Sequence, residues 1–251
     1  MLGFKKKKVQ IHQVTVNRTI ADKLNFAGQE AFNVLRTNVA FAIPGNRKGK
    51  TIGMTSSIPH EGKSYTTINL AYALAKNGQK TLLISADMRK PTLEMYVPEV
   101  NLVPGLSDVL TGNVTLDFAD KNLFCSVLHE NLTLLTAGNI PPNPSELIGS
   151  DEFRKLLETL KPEFDYIVID LPPVTAVIDP VLVSRYVDGM ILVIKHKYSK
   201  RQALKRTISQ LKYANAHVIG FVYNGTSKSG FRYYKKGYKG YYRYEQKQKG
   251  E

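Results

Sequence analysis

The chain has 251 residues, 43% of them hydrophobic, which suits one large α/β domain with its own core. A single cysteine, Cys125, excludes a disulfide framework and a multi-cysteine metal site and fits a reducing cytosol. The formal net charge of +14 is largely terminal, in the run Lys5–Lys8 and in the segment from Thr226 onward. That placement suits attraction to an anionic membrane surface; nucleic acid is an unlikely partner, because the stretch between the two ends holds no recognisable nucleic-acid module. No apolar run approaches the roughly 20 residues of a membrane span, and no signal-peptide pattern is present. The sequence therefore predicts a soluble, cytoplasmic chain that meets a membrane only through its surface or a partner.

The first element is a helix over Ala27–Ala42, with Ala31, Val34, Leu35, Val39 and Ala42 at helical spacing and Pro44-Gly45 ending it. A short apolar strand follows at Thr51–Met54, then a turn through Ser56–Gly62, then Lys63-Ser64 opening a helix that continues past Leu70 and Leu74. Strand, turn and helix in this order form a phosphate loop. The first N–H groups of a helix lack internal partners and sit at the positive end of its dipole, so a nucleotide phosphate is stabilised there. Lys63 adds a formal charge, and the Ser64 hydroxyl suits Mg²⁺. Ser57, Pro59, Glu61, Gly62, Lys63, Ser64 and Tyr65 are the residues expected to line the nucleotide. The glycine that usually opens such a loop is absent, with Ser57 in its place.

Asn77-Gly78 reads as the helix C-cap, and Thr81–Ala86 as an apolar strand buried on both faces of a parallel sheet. It ends at Asp87. Strand carboxyl ends form the ligand crevice of an open α/β sheet, which places Asp87 beside the phosphates. A second apolar strand, Tyr166–Asp170, also ends in aspartate, and Leu171-Pro172-Pro173 stops it. Four apolar positions closed by Asp170 after a phosphate loop match a Walker B carboxylate that holds Mg²⁺. Between the two strands we read a short helix at Gly105–Leu110, a strand at Leu132–Thr136 and one helix from Asn143-Pro144-Ser145 to about Leu160. The last third alternates again, with a helix at Pro180–Tyr186, a strand at Met190–Ile194, a helix at Lys200–Tyr213 and a strand at Val218–Val222. Asn224, just beyond, reads equally as an adenine-edge contact or a turn residue. This alternation predicts a doubly wound, mainly parallel sheet.

Residues 1–225 form the predicted catalytic domain, and 226–251 a disordered tail almost without aliphatic residues. The tail holds eight Lys/Arg against two glutamates, for a formal balance of +6. Six of the chain's fourteen tyrosines lie in it: Tyr233, Tyr234, Tyr238, Tyr241, Tyr242 and Tyr244. Each phosphotyrosine adds about −1.5 to −2 charges, so modifying four would reverse the tail's sign.

These segments together resemble the bacterial tyrosine kinases of capsular and exopolysaccharide synthesis, in the cytoplasmic Firmicutes-type form whose transmembrane activator is a separate protein. The resemblance runs through the helix around Glu30–Asn38, SSIPHEGKS, ISADMRKP, AGNIPPNPSELIGS, YIVIDLPPV and the tyrosine cluster. It implies a P-loop fold of the Min/Par-like type and ATP and Mg²⁺ as cofactors. Lys63 would contact the β- and γ-phosphates, with Ser64, Asp87 and Asp170 around the metal. The six tail tyrosines would be phosphoacceptors in trans. It also implies a ring of copies closed through Glu30, Asn33 and Arg36, a transmembrane activator or polysaccharide co-polymerase as partner, and a cognate tyrosine phosphatase. Localisation would be at the inner face of the cell membrane.

Two positions depart from the family pattern. Ser85 stands where the first aspartate of an Asp-x-Asp pair, in the family a candidate base for tyrosine, is usual, so that either Asp87 takes both roles or activity is low, and Asn33 stands where the ring helix carries an arginine. A Min/Par-type positioning ATPase and a nucleotide-binding scaffold with weakened catalysis share the same loops. Ile58 occupies the place of the signature lysine of the former, and the two substitutions point to the latter.

Overall fold

A computed structural model describes residues 20–97, 100 and 104–225. The basic run Lys5–Lys8, the tail and its six tyrosines lie outside the described residues. Helix α1 spans Phe26–Ala42 and is capped by Asn25, whose side chain accepts from the Gly28 N–H. Strand β1, Lys50–Ser56, is followed by helix α2, Lys63–Lys76, and strand β2, Thr81–Ser85. Then come helix α3 at Leu106–Leu110, a two-residue strand β3 at Cys125–Ser126, and strand β4 at Leu132–Leu135.

The single helix expected over Asn143–Leu160 is two helices, α4 at Pro144–Ile148 and α5 at Asp151–Leu160. The break has a local cause. Ser150 is extended, and its hydroxyl caps α5 by accepting from the Phe153 N–H while donating to the Leu147 carbonyl at the end of α4. Strand β5 is Tyr166–Asp170 and helix α6 is Asp179–Val183, which ends three residues earlier than the sequence predicts. Strand β6, Gly189–Lys195, helix α7, Arg201–Tyr213, and strand β7, Val218–Asn224, complete the fold.

The seven strands lie in the order β3-β4-β2-β5-β1-β6-β7, and every pair is parallel except β3 with β4. Side chains alternate across the sheet, so each strand feeds two cores. Leu82, Ile84, Ile167, Ile169, Met190 and Leu192 face α3 through α7; Ile52, Met54, Leu83, Val168, Ile191 and Val193 face α1 and α2. Helix α5 shows why that burial is strong. Phe153, Leu156, Leu157 and Leu160 fall on one stripe and are all buried, each contributing about 1.5–3 kcal/mol. One feature of the order positions the site: β5 lies between β1 and β2, so Asp170 sits in register with Met54 on one side and with Ser85 on the other.

Candidate nucleotide and phosphoryl-transfer site

The loop between β1 and α2 is shaped from within by Glu61. Its buried carboxylate accepts the backbone N–H of Ser57 at 2.7 Å and of Ile58 at 2.9 Å, and it also accepts the hydroxyl of Ser199 from the loop before α7. Expected to line the nucleotide, Glu61 instead turns its side chain into its own loop, where an acid finds N–H donors rather than phosphate oxygens. Gly62 ends the loop with φ of +88°, the left-handed region that favours glycine. A Cβ there would lie 2.0 Å from Asn224 Nδ2.

Asn224 is therefore packed against the phosphate loop. Its Nδ2 donates to the Glu61 carbonyl at 3.1 Å, and its Oδ1 accepts from the Gly225 N–H at 2.8 Å. These two bonds brace the end of β7 against the loop, and because an amide carries two N–H donors and two acceptor lone pairs, the bracing is compatible with the expected adenine-edge contact. Pro59 lies in the exposed turn of the loop, beside His60, whose carbonyl accepts from Lys195 Nζ. The Tyr65 side chain points to α1, with ring contacts of 6.1 Å to Phe32 and 6.2 Å to Tyr96. Only its backbone N–H, in the first turn of α2, belongs to the anion-binding end.

Lys63, Ser64, Asp87 and Asp170 come together as the sequence predicts. Lys63 Nζ is 2.8 Å from Asp170 Oδ2, 3.1 Å from Ser64 Oγ and 3.8 Å from Asp87 Oδ2. The Ser64 hydroxyl donates to Asp170 Oδ2 at 2.7 Å, and Thr67 Oγ1 donates to Asp170 Oδ1 at 3.0 Å. Asp170 is fully buried and ringed by donors, so both of its carboxylate oxygens have hydrogen-bond partners. Asp87 differs. Burial pushes its carboxyl up; the Lys63 ammonium pulls it down, and the charge of Asp170 pushes it up again, with a net upward shift. Two carboxylates and a hydroxyl already gathered around one cation form a set of hard oxygen donors that fits a hydrated divalent metal.

Ser85, the residue in register with Asp170, is buried, and its hydroxyl has no hydrogen-bond partner. The Ser57 hydroxyl is also buried without one. On α1, Asn33 Nδ2 donates to Glu30 Oε1 at 2.9 Å, and Arg36 Nη1 reaches the Ala73 carbonyl on α2 at 3.5 Å. Phe26 and Phe41, near the two ends of that helix, are 75% and 80% exposed.

Sequence reasoning missed several contributors. Thr67 is one, and Thr92, whose hydroxyl lies 2.8 Å from Ser64 Oγ, is another. Arg89, Ser145 and Asp179 form a connected group beside Asp87. The available signal was Pro144 and Pro180, which start two short helices and so place Ser145 and Asp179 in first turns.

A family model described as an AAA domain matches residues 49–219, the stretch that carries β1 through α7 and the first two residues of β7. The tyrosine-protein kinase CpsD of Streptococcus agalactiae is 34% identical over 201 residues, which cover 80% of this chain and 84% of that protein. The chain belongs to the bacterial tyrosine kinases. By that membership it is a protein-tyrosine kinase, of a family whose P-loop fold implies nucleotide binding with a metal. The kinase domain of the Escherichia coli tyrosine kinase ETK superposes with a TM-score of 0.73 at 30% identity, over 80% of this chain and 76% of that one. The Pyrococcus furiosus cell division ATPase MinD shares the fold, with a TM-score of 0.58 at 24% identity over 70% and 71% of the two chains. Among the described residues of this bacterial tyrosine kinase, no helix is long and apolar enough to cross a membrane.

Proposed function

We propose that this kinase uses ATP and Mg²⁺ to phosphorylate the tyrosines of its own C-terminal cluster in a neighbouring copy, and so regulates capsular or exopolysaccharide synthesis and export. The observation that carries the reading is the Lys63 ammonium held between Asp170 and Asp87 at the mouth of a phosphate loop. Ser64, Asp87 and Asp170 are the residues that would hold Mg²⁺, which when bound neutralises charge on the β- and γ-oxygens. The N–H groups opening α2 and the Lys63 ammonium orient the triphosphate.

In the transfer, the tyrosine oxygen bonds to the γ-phosphorus as the bond from that phosphorus to the β–γ bridging oxygen breaks, and ADP leaves. The phenolic proton passes to Asp87 and then to solvent. An aspartate near its ordinary pKa of about 3.9 is a weak base for a phenol near 10. Because phosphoryl transfer depends mostly on positioning and charge neutralisation, a serine at position 85 lowers the rate rather than abolishing it.

A tail of 26 residues, extended at about 3.3 Å each, reaches roughly 85 Å, enough to enter another copy's site. Family resemblance supports the remaining partners: a ring closed through Glu30, Asn33 and Arg36, a transmembrane activator of the polysaccharide co-polymerase type that recruits the kinase to the inner membrane face, and a phosphatase that resets the tail. The test combines purified protein, ATP, Mg²⁺ and the activator's cytoplasmic segment, with mass spectrometry of the tail. Phosphate should appear on Tyr233–Tyr244 and fall by about a hundredfold or more in Lys63→Met; labelling that Lys63→Met leaves intact refutes the reading. Inorganic phosphate released without any labelled tyrosine would favour a positioning ATPase. Nucleotide binding with neither product would favour the scaffold to which the partnerless Ser85 hydroxyl points.

A further inference from the structure

The two carboxylates at the centre of the site are held very differently. Asp170 lies inside a strand and accepts from Lys63, Ser64 and Thr67. Asp87 lies past the end of its strand. Among the described residues its carboxylate accepts a hydrogen bond from the N–H of Lys90 in its own turn and forms an ion pair with the Lys63 ammonium, at 3.8 Å. Where Asp87 points is therefore set by where that turn sits.

The turn is anchored from outside. Arg89 Nε is 3.4 Å from Asp179 Oδ2, and Arg89 Nη2 donates to Ser145 Oγ at 2.7 Å. The Ser145 hydroxyl in turn donates to Asp179 Oδ1 at 2.5 Å, which closes a triangle of guanidinium, hydroxyl and carboxylate. Its three corners come from the turn after β2, the first turn of α4 and the start of α6. Asp179 is fully buried, so its charge needs both donors, whereas the Arg89 side chain remains 41% exposed. A guanidinium fork fixes direction as well as charge, which a single ammonium does not.

We propose that Arg89, Ser145 and Asp179 form a clasp that positions the Asp87 turn for phosphoryl transfer. Only Met88 separates Asp87 from Arg89, and its side chain is fully buried in the core below the turn. No slack is left between the anchor and the carboxylate. At the far end of the same segment, the Thr92 hydroxyl contacts Ser64, so residues 87–92 are tied to the clasp on one side and to the phosphate-loop helix on the other. In this proposal Arg89, Ser145 and Asp179 are positioning residues that act through Asp87.

This rests on Asp87 acting in the transfer, and the test separates the two ideas. Ser145→Ala removes the bridging hydroxyl and keeps both charges. Arg89→Lys keeps the charge and the Ser145–Asp179 hydrogen bond but loses the fork. Each variant of the full chain is assayed for ADP release and for phosphotyrosine, for affinity toward a fluorescent ATP analogue, and for melting temperature. A misplacement of the order of 1 Å costs about a hundredfold in rate. The expected result is a ten- to hundredfold fall in kcat for both variants, with KM for ATP and analogue affinity within about twofold of the parent, and kcat restored in Ser145→Thr. Parent-like kcat in Ser145→Ala overturns the clasp. So does a loss that tracks nucleotide affinity or folded fraction in both variants. A parent that releases ADP without labelling tyrosine removes the tail reading, yet ADP release still decides the clasp.

Discussion

Lys63 Nζ and Asp170 Oδ2 lie 2.8 Å apart, with both side chains almost wholly removed from solvent. The pair joins the first residue of α2 to the last residue of β5 and sets the charge balance of the site. Lys63→Met should lower turnover by about 10²–10³-fold, the cost of losing one preorganised charged donor. It also leaves Asp170 buried without its cation. Ser64 and Thr67 still donate to Asp170, so the stability loss should fall at or below the lower end of the about 3–5 kcal/mol seen when a buried pair is broken. Urea unfolding and ADP release measure the two effects separately.

Gly62 faces two independent penalties on substitution. Its φ of +88° strains any side chain by about 1–3 kcal/mol, and a Cβ would overlap Asn224 Nδ2. Gly62→Ala should weaken nucleotide binding and lower the unfolding midpoint. Adding Asn224→Ala should restore only the steric part, leaving the backbone strain. A double variant that recovers fully would show that the left-handed conformation costs nothing here.

Ser85→Asp places a second carboxylate beside the buried Asp170, on the neighbouring strand. Without Mg²⁺, like-charge repulsion should lower its melting temperature below that of the parent. With Mg²⁺ and ATP the gap should narrow, because a ligand that binds only the folded state stabilises it in proportion to its affinity. Thermal shift across a Mg²⁺ series checks this. A melting deficit that is the same at every Mg²⁺ concentration would place Ser85 outside the metal's reach.

Asp188 gives a pH dependence whose sign is fixed. Burial pushes its carboxyl up, but the backbone N–H and hydroxyl of Thr51 together with the Arg47 guanidinium outweigh that and hold it below its ordinary value of 3.8. A depressed folded-state pKa contributes stability above the unfolded-state value and loses it as pH falls through the folded-state value. The parent should therefore lose stability as pH falls below about 4, while Asp188→Asn, less stable near neutrality, should show a shallower loss. Urea midpoints at successive pH values between neutrality and about pH 3 distinguish the two slopes.

Much of the fold was legible because the central strands are buried on both faces, and continuous apolar runs such as Thr81–Ile84 and Tyr166–Ile169 have few alternatives. Lys63, Ser64, Asp87 and Asp170 were legible because each stands at the end of such an element. The break at Gly149-Ser150 was not, since the apolar pattern continues across it and only the serine cap reveals the stop. The inward turn of the Glu61 side chain and the bracing contact of Asn224 were not legible; a polar side chain beside a phosphate loop reads as a ligand contact unless the loop's own N–H and carbonyl groups can be seen to engage it. Arg89, Ser145 and Asp179 escaped because their contacts span 56 and 34 residues and follow from the strand order, not from any local spacing.

That strand order also governs when the enzyme can come into being. The phosphate-loop strand and the strand leading to Asp87 do not touch each other; each pairs with β5, which arrives more than eighty residues after the second of them. A chain emerging from the ribosome thus carries the loop, its lysine and Asp87 long before anything holds them side by side. Such non-local pairing is slow to form and is made only after the intervening helices have been synthesised. No nascent fragment ending before Asp170 has both carboxylates of the site, and the Ser199 and Asn224 contacts to the loop follow later still, so catalytic competence arrives late in synthesis.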